Sequence, residues 1–153
     1  MGKRYTDAWG ISARAMRCCL GRRRQVHVVL GIGIDTVDVA SFRNRLDDRL
    51  TGELFLPDEI HYCRSQARPW ENYAARFAAK EAAFKAIGRG LSSGIRFLDV
   101  EVTRNTETGA ISLVLYRKAL FFQNSLGIQK LHVSISHTRS NAVAIVVAES
   151  RPV

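Results

Sequence analysis

The sequence predicts an α+β fold, with an antiparallel sheet packed against one long helix in a single domain. Three observations carry that expectation. A β-branched run that ends in glycines, Val26 to Asp35, stands before any helical stretch. Three helical stretches follow, two of them opened by proline. From Asp99 onward the period changes to that of strands, with one helix interrupting them. The length of 153 residues suits one compact domain.

In chain order, Val26 to Asp35 reads as a short buried strand. Val39 to Leu50 reads as an amphipathic helix with Val39, Phe42 and Leu46 on one side and Asp38 as its N-cap. Pro57, followed by Asp58 and Glu59, opens a helix that runs to Gln66. Pro69 opens the longest helix, closed by Gly88 and Gly90. Asp99–Arg104 and Ile111–Tyr116 read as a hairpin turning at Asn105 to Gly109, and Arg117–Ser125 as a short helix closed by Gly127. Lys130 to His137 alternates, with Leu131, Val133 and Ile135 on one face and His132, Ser134 and Ser136 on the other. Asn141 to Ala148 is nearly all apolar, as expected of a strand covered on both faces.

Charge excludes more than it suggests. Residues 1–27 hold seven basic side chains against Asp7 alone, a net +6 of the chain's +9, which leaves +3 for the rest. The basic character therefore belongs to an N-terminal extension over residues 1–27, and a nucleic-acid partner, which needs a basic face on the folded part, is not expected. No window approaches the ~18 apolar residues of a membrane helix, so no membrane partner is expected either. Cys18, Cys19 and Cys63 offer no C-x-x-C pair, which argues against a disulfide framework or structural zinc and fits a reducing cytoplasm.

Two carboxylates stand out. With Phe77 set at zero on a helical projection, Trp70, Tyr73, Ala74 and Phe84 form an apolar stripe, and Glu81 falls inside it at about 40°. Lys85 falls at the edge of the stripe, while Lys80 and Arg76 fall well away, as solvated side chains would. A buried carboxylate must be paired or bind a cation. The plain reading is an i,i+4 ion pair between Glu81 and Lys85. Asp35 is the second carboxylate, at the end of "GIGID". A dinucleotide fingerprint would need glycine where Thr36 stands. Asp35 is then either a turn-former or a metal ligand. Asp35 and Glu81 with a hard cation such as Mg²⁺, completed by substrate phosphates, make a known magnesium arrangement, with Gly31 and Gly33 letting backbone approach the phosphate. The stretch "SISHT" adds a histidine, His137, among hydroxyls and before Arg139, a plausible anion cluster.

Three segments together, "GIGIDTVDVASF" (31–42), "RFAAKEAAFKAIGRG" (76–90) and "HVSISHT" (132–138), resemble the 4′-phosphopantetheinyl transferases, specifically the short holo-acyl-carrier-protein synthase type. The resemblance runs from about Val28 to Glu149, and it implies a transferase domain over residues 28–153. It implies transfer of the phosphopantetheine arm of coenzyme A to a serine of an acyl carrier protein or carrier domain, with release of adenosine 3′,5′-bisphosphate, in fatty acid synthesis. By similarity Asp35 and Glu81 hold Mg²⁺, Lys85 binds the pyrophosphate, Gly88 and Gly90 admit the coenzyme, and His137 with Thr138 contacts its nucleotide end. The general base is open between Asp35, Glu81 and a water. Relatives carry an arginine on the carrier-facing helix where Ser41 stands here, with Arg43 and Arg45 nearby. One motif set in a short chain resembles the homotrimeric type, in which neighbouring subunits share each site. Two rival readings are a non-enzymatic basic binding module and another Mg²⁺-dependent hydrolase of coenzyme A or nucleotides.

Overall fold

The computed structural model describes residues 26–150. The basic extension expected over residues 1–27 lies outside the described residues, apart from Val26 and His27. The order is β1 (Val29–Asp38), α1 (Val39–Arg45), α2 (Asp48–Leu54), α3 (Pro57–Ser65), α4 (Pro69–Ile87), β2 (Val100–Arg104), β3 (Ile111–Leu115), α5 (Arg117–Ser125), β4 (Ile128–His137) and β5 (Asn141–Ser150), with 3-10 turns at Leu91–Ser93 and Phe97–Asp99. The expected α+β class is the observed one.

The five strands sort into two sheets rather than one meander: β1-β5-β4, antiparallel throughout, and the β2-β3 hairpin. The first strand starts and ends three residues later than its composition suggested, because its ladder with β5 extends to the Asp38–Asn141 pair. The single helix expected over Val39–Leu50 is two. Asp38 caps the first by accepting from Ser41 N at 2.7 Å, and Asp47 caps the second by accepting from Leu50 N at 2.7 Å. A second good N-cap inside an amphipathic run restarts the helix there.

The α4 helix is buried on nearly every side. The three-stranded sheet lies along one flank, α1 and α3 along another, and β2 against a third. Ala74, Ala75, Ala78, Ala79, Ala82, Ala83 and Ala86 are all in the core, and their small side chains let so many elements close on one helix. The placement of Lys80 and Arg76 in solvent is therefore wrong: Lys80 is 0% and Arg76 5% exposed. A one-stripe projection fails for a helix wrapped by several layers.

β1 packs on α4 through its glycines. A Cβ on Gly33 would stand 1.9 Å from Ala82 O, and one on Gly31 2.1 Å from Ala86 O. The two glycines thus serve strand–helix contact, not the approach of backbone to a phosphate. Asp35 and Val37 follow on the same face, turned toward the helix, while Leu30, Ile32 and Ile34 point the other way and are exposed. Ile145 of β5 is exposed on that outer face too, so β5 is covered on one face only within the chain, against the expectation of two.

The close contact yields a stability test. Gly33→Ala should cost at least about 2 kcal/mol by overpacking. Gly52→Ala, in α2 with nothing within 4 Å of its would-be Cβ, should gain roughly 0.5–1 kcal/mol. Urea midpoints of the two variants moving the same way would contradict this packing.

Candidate functional site

Asp35 and Lys85 meet across the β1–α4 contact. Lys85 Nζ donates to Asp35 Oδ1 at 2.7 Å and to Ile34 O at 2.9 Å. The Asp35 side chain is 17% exposed and that of Lys85 50%. Glu81, one turn before Lys85, is half-buried and makes no ion pair within 4 Å among the described residues. The plain i,i+4 pairing of Glu81 with Lys85 is therefore not what forms; Lys85 is held by Asp35 instead. Burial first, and the Asp35 charge second, push the Glu81 carboxyl above its ordinary value, and Lys85 opposes them.

Asp35 and Glu81 line one open cleft of about 590 Å³. Leu50, Leu54, Phe77, Leu91 and Phe97 make the rest of its lining largely apolar, and α1 adds Ser41 and Arg45. Two carboxylates stand against one ammonium here, and Asp35 alone holds it, so the set is short of positive charge in a half-buried place. That is a deficit a cation relieves. Oxygen donors suit a hard cation such as Mg²⁺, which takes one or two protein carboxylates and fills its remaining positions from phosphate and water. No group of three or more His, Cys, Asp or Glu side chains that could hold a metal gathers among the described residues.

His137 and Thr138 lie elsewhere. His137 ends β4, with Nδ1 3.3 Å from Glu71 Oε2, and lines a second cavity of about 360 Å³. Thr138 closes the β4–β5 turn: its N–H donates to Asn141 O at 2.7 Å, and its Oγ1 accepts from Asn141 N at 3.1 Å. The second cavity also holds Arg76, Arg104 and Tyr62. Arg76 lies over the Tyr62 ring at 4.1 Å, and Arg104 Nη1 donates to Tyr62 Oη at 2.6 Å. Arg76 Nε is the one buried side-chain polar atom among the described residues without a hydrogen-bond partner. Burial pushes the adjacent Cys63 thiol up to about 12, so that thiol brings no negative charge to Arg76. An orphan guanidinium donor beside a second arginine and a histidine is a cationic cradle.

Arg76 and Arg104 are the residues that sequence reasoning missed. The signal was an arginine set in a run of alanines too small to leave any side of the helix open. Gly88 is the αL cap of α4, with φ +67°, and open space where a Cβ would stand. Gly90 is extended and starts the turn at Leu91. They stand three and five positions after Lys85 at the end of the helix, just before Leu91, which lines the cleft.

The raised Glu81 value has a stability consequence of definite sign. A carboxyl with a raised folded-state value favours the fold below its ordinary value, and that contribution is lost as pH rises through the raised one. Glu81→Gln should therefore melt higher than the parent at pH 7–8, and the difference should close below about pH 4, near the unperturbed carboxylate range. A neutral-pH melting point below the parent's would contradict the electrostatic account.

Comparison with known proteins meets this geometry from outside. Residues 31–147 match the family model of the 4′-phosphopantetheinyl transferase superfamily. The holo-[acyl-carrier-protein] synthase of Koribacter versatilis is 45% identical over 125 residues, 80% of this chain and 99% of that protein. The corresponding synthase of Geobacter sulfurreducens is 43% identical over 125 residues, covering 80% and 98%. Among solved structures, the holo-ACP synthase of Plasmodium yoelii superposes with a TM-score of 0.71 at 27% identity, over 82% of this chain and 98% of that one. The Bacillus anthracis holo-(acyl-carrier-protein) synthase, solved in complex with CoA (3′,5′-ADP), gives 0.66 at 33% identity over 80% and 97%. With sequence and fold agreeing, this chain belongs to the 4′-phosphopantetheinyl transferase superfamily and, within it, to the holo-[acyl-carrier-protein] synthases.

Proposed function

We propose that this chain is the Mg²⁺-dependent form of that enzyme: it moves the 4′-phosphopantetheine arm of coenzyme A onto a serine of an acyl carrier protein or carrier domain and releases adenosine 3′,5′-bisphosphate, which activates the carrier for fatty acid synthesis. The observation that carries the reading is the Asp35–Glu81 pair, two carboxylates short of positive charge at an open cleft. Attack by a serine hydroxyl on phosphorus needs charge neutralisation and positioning above all. Asp35 and Glu81 would hold Mg²⁺, which would supply that neutralisation at the pyrophosphate. Lys85 stands in for the cation in the free chain. Once Asp35 is engaged elsewhere, the Lys85 ammonium is free to turn to phosphate from a place half open to solvent. Gly88 and Gly90 leave the end of α4 unobstructed for the coenzyme.

The cradle of Arg76, Arg104 and His137 suits the phosphorylated nucleotide end of coenzyme A, with Thr138 setting the turn that presents His137. That cradle and the carboxylate cleft are separate cavities of one chain. The outer face of the three-stranded sheet exposes Ile32 (61%) and Ile34 (57%), beside Leu30 and Ile145. Both facts support a homotrimer in which this apolar face is covered by further copies and one subunit's His137 serves the next subunit's Asp35 and Glu81. The domain is taken as residues 28–153, and its place of action as the cytoplasm; no helix of the described residues is long and apolar enough to cross a membrane.

Mass spectrometry of an apo-carrier protein incubated with coenzyme A and Mg²⁺ tests the proposal. The expected result is one phosphopantetheine per carrier serine with adenosine 3′,5′-bisphosphate released, abolished by EDTA. Asp35→Ala and Glu81→Ala should each lose at least ~100-fold in rate, the scale of removing one preorganised electrostatic element. Coenzyme A breakdown without a carrier would point instead to a hydrolase, and full turnover in EDTA would defeat the metal assignment. Chains carrying Asp35→Ala and chains carrying His137→Ala, refolded together, should regain part of the activity each lacks alone; an active monomer would contradict the shared site.

A further inference from the structure

Lys80 is fully buried, and its ammonium is spent entirely inside the protein. Nζ donates to Glu59 Oε2 at 2.6 Å, to Leu54 O at 2.8 Å and to Phe97 O at 3.2 Å. Glu59 is 2% exposed and also accepts from Leu56 N at 2.9 Å and Val102 N at 3.0 Å. A lysine has three donors and no acceptor, so the set is complete. Desolvation pulls the Lys80 pKa down, and Glu59 acts against that pull. Such a pair is a poor stability device, since apolar side chains of similar volume often hold a core as well or better.

The two carbonyls give it another use. Leu54 is the last residue of α2, and Phe97 opens the turn Phe97–Asp99; both line the cleft that Asp35 and Glu81 line. Lys80 is the neighbour of Glu81 on α4. One ammonium therefore ties the backbone of two apolar lining residues to the helix that carries Glu81, and so holds that wall of the cleft. A hydrophobic substitute would fill the space and leave the wall untied.

We infer that Lys80, steadied by Glu59, is a positioning residue that fixes the width of the cleft in which coenzyme A is held. It touches no ligand and acts through Leu54 and Phe97. The inference rests on the transferase reading of the cleft.

The test separates binding from stability with three variants, Glu59→Gln, Lys80→Met and the two combined. Glu59→Gln keeps the hold on both carbonyls, so its dissociation constant for coenzyme A by calorimetry, in Mg²⁺, should stay within threefold of the parent although it melts lower. Lys80→Met and the double variant lose the hold, and the dissociation constant and the KM for coenzyme A should each rise at least tenfold. The double variant should melt above Lys80→Met, because no unpaired buried charge remains. Amide exchange at Phe55 and Leu98 should quicken in the double variant and not in Glu59→Gln. A double variant that binds coenzyme A like the parent, or does not fold, overturns the inference, as does a binding loss that follows melting temperature across all three. Should the unaltered chain transfer nothing, the transferase reading has failed by itself, and the exchange pattern decides the positioning claim alone.

Discussion

Everything at the site depends on how closely β1 lies on α4. Ala82 and Ala86 on the helix and Gly33 and Gly31 on the strand leave the two backbones nothing between them but a carbonyl and a hydrogen. Strand alternation then turns the next inward residue, Asp35, toward the same helix, where Glu81 and Lys85 stand one turn apart. A side chain of ordinary size at position 31 or 33 would hold the strand off. The Asp35–Lys85 bond would open, and with it the electrostatic strain on Glu81. The glycines that look like a phosphate loop are thus the reason the carboxylates meet.

The same helix carries charges of two kinds, and their surroundings tell them apart. Lys80 and Glu59 are fully enclosed and satisfied by named partners, as buried ions must be. Asp35, Glu81 and Lys85 are half open and one positive charge short, and Arg76, stacked on Tyr62, has no hydrogen-bond partner at Nε. Groups left incomplete at the rim of cavities mark where a protein expects a ligand to finish its hydrogen bonds. On this view the carboxylate cleft awaits a cation and the arginine cradle awaits an anion, which together are the two ends of a metal-bound nucleotide ester. The exposed isoleucines of the outer sheet face belong to the same pattern of incompleteness, at the scale of the subunit.

Much of this was legible in the sequence. Proline and glycine punctuation placed α3, α4 and α5 to within a residue of their ends, and alternation placed β4. Glu81 was conspicuous because a carboxylate fell among aromatic residues. The sequence was misleading where a local rule met a crowded environment. One apolar stripe is the signature of a helix with one neighbour, and α4 has several, so the projection puts Lys80 and Arg76 in solvent although both are buried. The restart of the helix at Asp47 is hidden in the sequence by a continuous amphipathic pattern. The partner of Lys80, Glu59, lies 21 positions away, and no local pattern announces a contact of that range.

The central claim is that Asp35 and Glu81 are brought together to share one cation in the presence of coenzyme A. Electron spin resonance of Mn²⁺ titrated into the chain with coenzyme A addresses it without relying on turnover. The account predicts saturable Mn²⁺ uptake at one ion per chain in the parent, and uptake at least tenfold weaker in Glu81→Gln and in Asp35→Asn. Equal Mn²⁺ affinity in all three proteins would contradict it, for the two carboxylates would then meet for some other reason.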